Sequence, residues 1–466
     1  MVFSSIVFLF KYLPIVLAVY YVFPAKWRNI WLFIVNMVFY GWGEPVYILL
    51  MLFSIGINYA AGMVVDKYRH ISDKKARTAL TINIIVNLAL LIFFKYYDLL
   101  AKTISQIPGV YIPALGLGLP IGISFYTFQA MSYPIDVYRG DADAQKNPIL
   151  FGTYISLFPQ LIAGPIVRYK DVADQIDSRV HSTEKFASGV RRFAVGLGKK
   201  VLIANNIGAL WDVYAAKSAA ELTALGSWIG IIAFTLQIYF DFSGYSDMAI
   251  GLGRMLGFEF LENFNYPYIS KSITEFWRRW HISLSTWFRD YVYIPLGGNR
   301  RGIKRQLLNI LVVWALTGMW HGANWTFLVW GLYYALFLIL EKTFLLKTLE
   351  RTPSIIRHIY TMLIVTCGWA IFQLDSMSAV WVYFKAMFGF GLAGAWAPAD
   401  IYYLGSYAVV MITAAVLSTD IVRRVWNRLP DRVTDVLCPV GVCAILFLAT
   451  AYLVNSTYNP FLYFRF

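Results

Sequence analysis

A histidine at position 321 stands inside an apolar segment, where an ionisable side chain is unexpected. It lies in Met319–Trp325 (MWHGANW), within a stretch from Gln306 to Leu340 that contains no Asp, Glu, Lys or Arg. An ionisable group at membrane depth is costly and is therefore a candidate for function. Its imidazole titrates near neutral pH and could take a proton from a hydroxyl group. A neutral core histidine bonded to a backbone carbonyl is the structural alternative, and the spacing leaves both open.

A second histidine, His281, lies in a segment dense in arginine and tryptophan, Glu275–Asp290 (EFWRRWHISLSTWFRD). One interpretation is an amphipathic helix at the membrane interface, with snorkelling arginines and a tryptophan belt. The other is a cytoplasm-facing site in which guanidinium groups bind a polyanionic ligand through charge-assisted hydrogen bonds. The arginines that would bind such a ligand are Arg278, Arg279, Arg289, Arg300 and Arg301.

Two carboxylates, Asp241 and Asp247, lie in Tyr239–Asp247 (YFDFSGYSD). They are six positions apart and not neighbours on a helix, so their spacing does not indicate a paired acid–base dyad. We expect them to bond nearby Arg or His residues, with the orientation of His281 or His321 as one such role. No Cys/His cluster has the spacing of metal ligands, and the three cysteines form no C-x-x-C pair, so no metal site is expected.

The composition excludes a soluble globular enzyme. Of the 466 residues, 59% are hydrophobic and only 14% are charged, whereas soluble domains carry roughly 25% charged residues. The net charge of +14 comes from short basic clusters between apolar runs. This pattern is typical of the cytoplasmic loops of a membrane protein and not of a nucleic-acid-binding protein. We expect a single all-α, polytopic membrane domain over 1–466, solvated by the lipid bilayer.

Apolar runs of about 20 residues can cross a membrane as helices. They predict about ten to twelve complete or partial crossings, at 3–24, 30–43, 46–65, 78–97, 149–165, 187–213, 222–250, 306–320, 323–340, 359–374, 401–419 and 436–455. The segment 113–135 is rich in Gly and Pro and then polar, which favours a re-entrant structure buried in protein. The long run 306–340 should be broken into two helices by Gly318, Gly322 and Asn324.

Several motifs, in one order along the whole chain, resemble the bacterial branch of the membrane-bound O-acyltransferase (MBOAT) family. They include Gly122–Gln129 (GISFYTFQ), Phe158–Pro165 (FPQLIAGP), Phe240–Asp247 (FDFSGYSD), Asn263–Tyr268 (NFNYPY), Phe276–Leu296 and Met319–Gly322 (MWHG). The resemblance implies a ring of tilted and re-entrant helices around a central tunnel, with a catalytic core at about 113–330. It also implies that His321 is catalytic and His281 is a second functional histidine. Trp320 and Asn324, with Asp241 and Asp247, would support them.

The resemblance further implies transfer of an acyl group, with acetyl expected, from cytoplasmic acyl-CoA towards an extracytoplasmic polysaccharide. Acetyl-CoA would be a donor substrate, with no bound cofactor. The expected partner is an extracytoplasmic SGNH-type, serine esterase-like acyltransferase, and the expected location is the bacterial cytoplasmic membrane. D-alanyl transfer from a carrier protein to teichoic acid is an alternative within enzymes. A small-molecule transporter or flippase is the alternative outside them, although the repeats typical of transporters are not visible.

The C-terminal segment 456–466 ends in an aromatic run, Tyr458–Phe466 (YNPFLYFRF). Composition alone favours an interfacial anchor after the last span. The run also resembles a terminal motif of acyl-export systems in which a tyrosine carries the acyl group temporarily. That resemblance assigns the carrier role to Tyr463, activated by His321 through a covalent intermediate.

Overall fold

The structure is a computed structural model that describes residues 1–455 and 461–462 of the chain. All regular secondary structure in these residues is helical, and no strand occurs among them. The predicted all-α class is therefore confirmed.

The N-terminal part of the chain forms helices of 4 to 32 residues. They are α1 (Leu13–Val22, preceded by the π-helical turn Phe8–Tyr12), α2 (Ala25–Gly43), α3 (Ile48–Arg69), α4 (Asp73–Ile104), α5 (Ile123–Arg139), α6 (Pro148–Ser156), α7 (Phe158–Leu161), α8 (Tyr169–Asp177) and α9 (Thr183–Gly198).

The C-terminal part is also helical, with a cluster of short helices between two long ones. The helices are α10 (Asn205–Ala215), α11 (Ala224–Met255), α12 (Ile273–Arg279), α13 (Ile282–Phe288), α14 (Ile303–His321), α15 (Trp325–Leu340), α16 (Leu346–Glu350), α17 (Ser354–Gln373), α18 (Met377–Met387), α19 (Pro398–Leu417), α20 (Ile421–Trp426) and α21 (Asp431–Asn455). Lys199–Ala204, Arg289–Tyr293 and Glu341–Leu345 continue α9, α13 and α15 as π-helical turns, and Pro267–Ile269 is a 3-10 turn.

Seven helical stretches of the described residues are long and apolar enough to cross a membrane. They are α3, α4, α11, α15 with α16 (Trp325–Glu350), α17, α19 and α21. Their environments differ: 83% of the most apolar stretch of α11 is buried, but only 11% of that in α19 and α21. Helices α19 and α21 therefore leave apolar surface for lipid, whereas α11 packs against protein. The predicted polytopic membrane protein is confirmed.

The chain divides into two compact units. One unit comprises Met1–Phe193 and Tyr245–Leu261. Its core contains an aromatic cluster in which Phe3 lies 5.0 Å from Phe8, and Phe39 lies 5.4 Å from Phe158, between ring centroids. Helices α3 and α4 of this unit are joined by amide hydrogen bonds of Asn58. The prediction of a single domain over 1–466 stays a prediction.

The second unit comprises Ala194–Gly244 and Glu262–Phe466. Its helices α14 and α15 form a tight antiparallel pair at two glycines. A β-carbon at Gly331 would overlap the carbonyl oxygen of Trp314, and one at Gly318 would overlap that of Phe327. Only glycine allows this close approach, which places the end of α14 firmly against α15.

The run 306–340 is broken as predicted, at two of the three expected positions. Helix α14 ends at His321 because Gly322 adopts an extended backbone conformation. Asn324 then caps α15, its side-chain oxygen accepting the backbone N–H of Thr326 at 3.2 Å. Gly318 was wrongly expected to break the run, since it lies inside α14 and serves its packing.

Two other segments differ from the sequence predictions. The prediction that 149–165 crosses the membrane is wrong, because α6 ends at Ser156 and only the four-residue helix α7 follows. The residues of α7 are buried in protein, and the side-chain amide of Gln160 donates to the carbonyl of Tyr154 at 2.8 Å. The segment 113–135 is buried in its second half, as expected, but Ile123–Arg139 is a regular helix despite Pro134.

Candidate active site

A cavity of about 300 Å³ lies within the second unit and brings the two predicted histidines together. His281 and His321 both line it, with the cationic side chains of Arg278, Arg289 and Lys342. The remaining lining is mainly aromatic and aliphatic, with a few hydroxyl and amide groups: Thr274, Trp277, Leu284, Ser285, Phe288, Tyr293, Gln306, Ile310, Val313, Trp314, Thr317 and Leu338. A small apolar space with a few convergent polar groups is the usual form of a ligand site.

His281 is held between α12 and α13 in a left-handed backbone conformation, with φ of 46°. It is 1% exposed, and its Nδ1 lies 3.1 Å from Oδ1 of Asn263. The same oxygen accepts the backbone N–H of Ser283 at 3.2 Å. Oδ1 of Asn263 is therefore a hydrogen-bond acceptor. Nδ1 of His281 must carry the hydrogen and donate it to this oxygen, which leaves the lone pair of the ring on Nε2. Burial lowers the pKa of His281 to about 3, which keeps the ring neutral.

His321 is the last residue of α14 and is 5% exposed. Its imidazole is surrounded by aromatic rings in edge-on contact. The ring centroids of Trp330 and Phe372 lie 4.9 and 5.3 Å from it. These rings restrict the orientation of the imidazole and shield it from bulk water.

Trp320 links the two histidines. Its ring centroid lies 5.1 Å from that of His321 and 6.0 Å from that of His281, both within the usual range of aromatic contacts. The supporting role predicted for Trp320 therefore has a geometric basis. Asn324 supports the site differently, because it caps α15 and donates to the carbonyl of Asp375 at 2.7 Å.

Helix α12, which carries Arg278, is anchored at its beginning by a buried carboxylate. Glu341, 2% exposed, accepts the backbone N–H groups of Ile273 and Thr274 at 2.7 and 2.8 Å, and the hydroxyl of Thr274 at 2.7 Å. A helix leaves its first N–H groups without partners in the helix, and a negative charge there is favourable. Ser272 caps the same helix by accepting the N–H of Glu275 at 3.0 Å.

The five predicted arginines separate into two groups. Arg278 and Arg289 line the cavity, although Arg289 also pairs with Asp290 at 2.7 Å. Arg279 pairs instead with Glu275 at 2.9 Å. Arg300 and Arg301 are exposed and do not contribute to the lining. The prediction that all five bind one ligand stays a prediction. Two of the five line the cavity, where Lys342 is a third cation.

The two aspartates bind basic side chains other than the histidines. Oδ1 of Asp241 lies 2.5 Å from Nζ of Lys200. In the first unit, Asp247 forms an ion pair with Arg192 at 2.6 Å, which agrees with the predicted Arg or His partner. Lysine, and not the expected Arg or His, is the ion-pair partner of Asp241. Tyr463 lies outside the described residues.

Three residues that shape the site were not singled out from the sequence. Asn263 belongs to the motif NFNYPY, but nothing in that motif indicates a histidine 18 positions later as its partner. Glu341 and Lys342 lie just beyond the uncharged run 306–340. Their positions there are typical of a loop charge, and only the packing of α15 against α12 brings them to the site. In the described part of the chain, no cluster of His, Cys, Asp or Glu could hold a metal ion.

A comparison with protein families agrees with the resemblance carried by the sequence motifs. The model of the membrane-bound O-acyltransferase family, MBOAT, matches residues 115–376, which is more than half of the chain. The chain belongs to the MBOAT family. The family match shows that the protein is an O-acyltransferase, and its apolar helices show that it spans the membrane. All residues that line the cavity lie within the matched range.

Relatives that match most of the chain include two enzymes of different substrates. It is 44% identical to the probable alginate O-acetylase AlgI of Azotobacter vinelandii over 399 residues, covering 84% of this chain and 79% of the relative. It is 32% identical to the peptidoglycan O-acetyltransferase of Helicobacter pylori over 426 residues, covering 84% and 80%. A third relative, the teichoic acid D-alanyltransferase of Bacillus subtilis, is 30% identical over 229 residues, covering 46% and 57%.

Proposed function

We propose that this protein takes an acetyl group from acetyl-CoA at the cavity and passes it towards an extracytoplasmic polysaccharide. The observation that carries the proposal is the shared cavity. One space of about 300 Å³ combines two histidines, three cations and an apolar wall. Acyl transfer from a thioester to a hydroxyl needs a base, a site for the charged donor and a place for its apolar arm, and these three features supply them.

The positive charges that line the cavity support a site for the donor. CoA carries phosphates, which form charge-assisted hydrogen bonds with arginine and lysine. Arg278, Arg289 and Lys342 would bind them, while Trp277, Trp314 and Leu338 would contact the pantetheine arm. Acetyl is preferred as the acyl group because two relatives that match most of the chain are named as O-acetylating enzymes.

In the proposed chemistry, His321 is the general base. It takes the proton of an attacking hydroxyl, whose oxygen attacks the thioester carbonyl carbon as the C–S bond breaks. The CoA thiolate then receives the proton from the imidazolium. His281, neutral and with its lone pair on Nε2, would position the donor or assist in moving the proton.

The first acceptor in this scheme is the phenol of Tyr463. A phenyl ester is a better acyl donor than an alkyl ester, so the acetyl group could pass from Tyr463 to a serine hydroxyl, with the proton returning to the phenol. That serine would belong to an extracytoplasmic, SGNH-type esterase-like partner, which acetylates the polysaccharide. The protein would act in the bacterial cytoplasmic membrane, where acyl-CoA and polymer are on opposite sides.

A second candidate function is D-alanyl transfer from the phosphopantetheine of a carrier protein. The similarity to the Bacillus subtilis enzyme favours it, although that match covers less than half of this chain. The same cations could bind the single phosphate of phosphopantetheine. The three-cation cavity suits CoA better, because CoA has additional phosphates.

The experiment that decides between donors uses the purified protein in lipid nanodiscs. Radiolabelled acetyl-CoA and a D-alanyl-loaded carrier protein are supplied separately, and release of free thiol is measured with the label. The proposal expects CoA release and label on the protein with acetyl-CoA alone. Turnover only with the carrier protein would favour the second candidate. A parallel assay uses the protein in sealed lipid vesicles, and movement of label across their membranes without thiol release would indicate a transporter and contradict the proposal.

A further inference from the structure

A buried ion pair lies in the second unit, outside the cavity. Nζ of Lys200, in the π-helical turn after α9, is 2.5 Å from Oδ1 of Asp241 in α11, and the two side chains are 3% and 2% exposed. Burying two charges costs free energy unless they are paired and their remaining polar atoms are hydrogen-bonded. The pair therefore requires further partners close by.

The C-terminal segment of the same chain supplies one of them. The backbone N–H of Leu462 donates to Oδ2 of Asp241 at 2.9 Å. The ring of Phe461 lies over the ammonium group of Lys200, with 5.8 Å between Nζ and the ring centroid. Phe461 and Leu462 are themselves buried, at 3% and 6% exposure. Two residues of the C-terminal segment thus cover the ion pair.

The helical segments that carry the pair approach each other closely at a glycine. A β-carbon at Gly244 would lie 2.8 Å from the carbonyl oxygen of Gly196 and 3.1 Å from the backbone nitrogen of Lys200. This close approach fixes Lys200 relative to α11. The carboxylate of Asp241 is therefore presented to the C-terminal segment at a defined position.

The pair is also adjacent to the candidate active site. Phe242, the residue after Asp241, has its ring centroid 4.7 Å from that of His281, with the planes at 88°. One residue of α11 therefore binds the amide of Leu462, and the next contacts a histidine of the cavity. Leu462 is therefore bound to the residue of α11 that precedes a contact of His281.

We propose that Lys200 and Asp241 form a socket that binds the C-terminal segment of this chain through the amide of Leu462. In this role Asp241 is a positioning residue. The socket binds the backbone N–H of Leu462 and the ring of Phe461. Tyr463 is the next residue in sequence, so release of Leu462 from the socket should also impair acyl transfer through Tyr463. This last step rests on the function proposed above, whereas binding of Phe461 and Leu462 does not.

The test separates binding of the segment from catalysis. A cysteine placed at Phe461, in a background with Cys367, Cys438 and Cys443 replaced by Ala, reports burial through its rate of labelling by a maleimide. Leu462→Pro in this background removes the donating N–H, and Leu462→Ala keeps it as the matched control. Both changes lie in the C-terminal segment and leave the helices intact. A hydrogen bond to a charged group is worth about 1.5–3 kcal/mol, so we expect Leu462→Pro to label about tenfold faster or more than Leu462→Ala.

A second variant tests the ion pair itself. Replacing Asp241 alone leaves the ammonium group of Lys200 buried, which could unfold the protein. The double change Lys200→Met with Asp241→Leu removes both charges and keeps the volume apolar, which buried pairs often tolerate. We expect the double variant to remain folded and monodisperse while labelling at Phe461→Cys becomes as fast as in Leu462→Pro.

The outcomes are distinct. Equal labelling of Leu462→Pro and Leu462→Ala would overturn the socket, whatever their activities. The same holds if the folded double variant stays as protected as the parent. Acetyl transfer is then measured for the proline and alanine variants with native Phe461. Fast labelling of the proline variant with undiminished transfer would support the socket and contradict the carrier role of Tyr463.

Discussion

The side-chain oxygen of Asn263 lies 3.1 Å from Nδ1 of His281 and determines which ring nitrogen carries the hydrogen. Because that oxygen also accepts the N–H of Ser283, the basic nitrogen of His281 is Nε2. A histidine that lines a cavity with its tautomer fixed in this way is suited to accept a proton or a hydrogen bond there.

The first prediction concerns the charge state of His281. Asn263→Asp places a carboxylate where the amide oxygen now lies, and a nearby negative charge raises the pKa of an imidazole. In the native protein, burial lowers the pKa of His281 to about 3. The ring should therefore stay neutral at mildly acidic pH, and its protonation should not reduce activity there. The Asp variant should lose activity as the pH falls across about 8 to 5. The measurement is the pH dependence of kcat for the native protein and for Asn263→Asp. Identical pH profiles of the two proteins would contradict a role of neutral His281 in the reaction.

The second prediction concerns His321. His321→Ala should reduce acyl transfer by about 10²–10⁴, the usual contribution of a general base, with the protein still folded in the membrane. His70→Ala, in the exposed turn after α3, is the control and should retain activity. CoA release per mole of monodisperse protein is the measurement. Near-normal turnover of His321→Ala would mean that this buried histidine is only a core residue.

The third prediction concerns the donor phosphates. Arg278→Gln and Lys342→Gln should raise KM for acetyl-CoA, and the increase should be larger at low ionic strength, where charges are less screened. Arg300→Gln and Arg301→Gln remove the same charge from exposed positions outside the cavity and serve as controls. A similar rise in KM for both pairs would indicate a general surface field and not a defined site.

The sequence singled out the two histidines that line the cavity, with Trp320 beside them, but not Asn263 or Glu341. His321 could be recognised because one ionisable residue in a long uncharged run is conspicuous, and Gly322 and Asn324 marked the end of α14. Glu341 gave no such signal, since its partners Ile273 and Thr274 are 68 and 67 positions away. The stretch 149–165 was misread because an apolar run has the same composition in a buried helix and in a membrane span.

The fourth prediction concerns Glu341. Glu341→Gln keeps the size of the side chain but removes the charge that accepts the first N–H groups of α12. We expect a loss of about 2 kcal/mol of stability, because hydrogen bonds to charged groups are worth about 1.5–3 kcal/mol. Thermal unfolding in detergent measures it, with Glu350→Gln, an exposed carboxylate at the end of α16, as the control. Equal melting temperatures of the two variants would show that the carboxylate does not anchor α12.

The most direct test of the account is whether the acetyl group is carried covalently by the protein under the control of His321. Purified protein is incubated with acetyl-CoA, quenched in acid, digested and examined by peptide mass spectrometry. The account predicts an acetyl adduct on Tyr463 in the parent protein and its absence in His321→Ala. Tyr463→Phe, which keeps the ring but lacks the hydroxyl, should show neither adduct nor transfer. Normal transfer by Tyr463→Phe, with no adduct on Tyr463 in the parent, would contradict it.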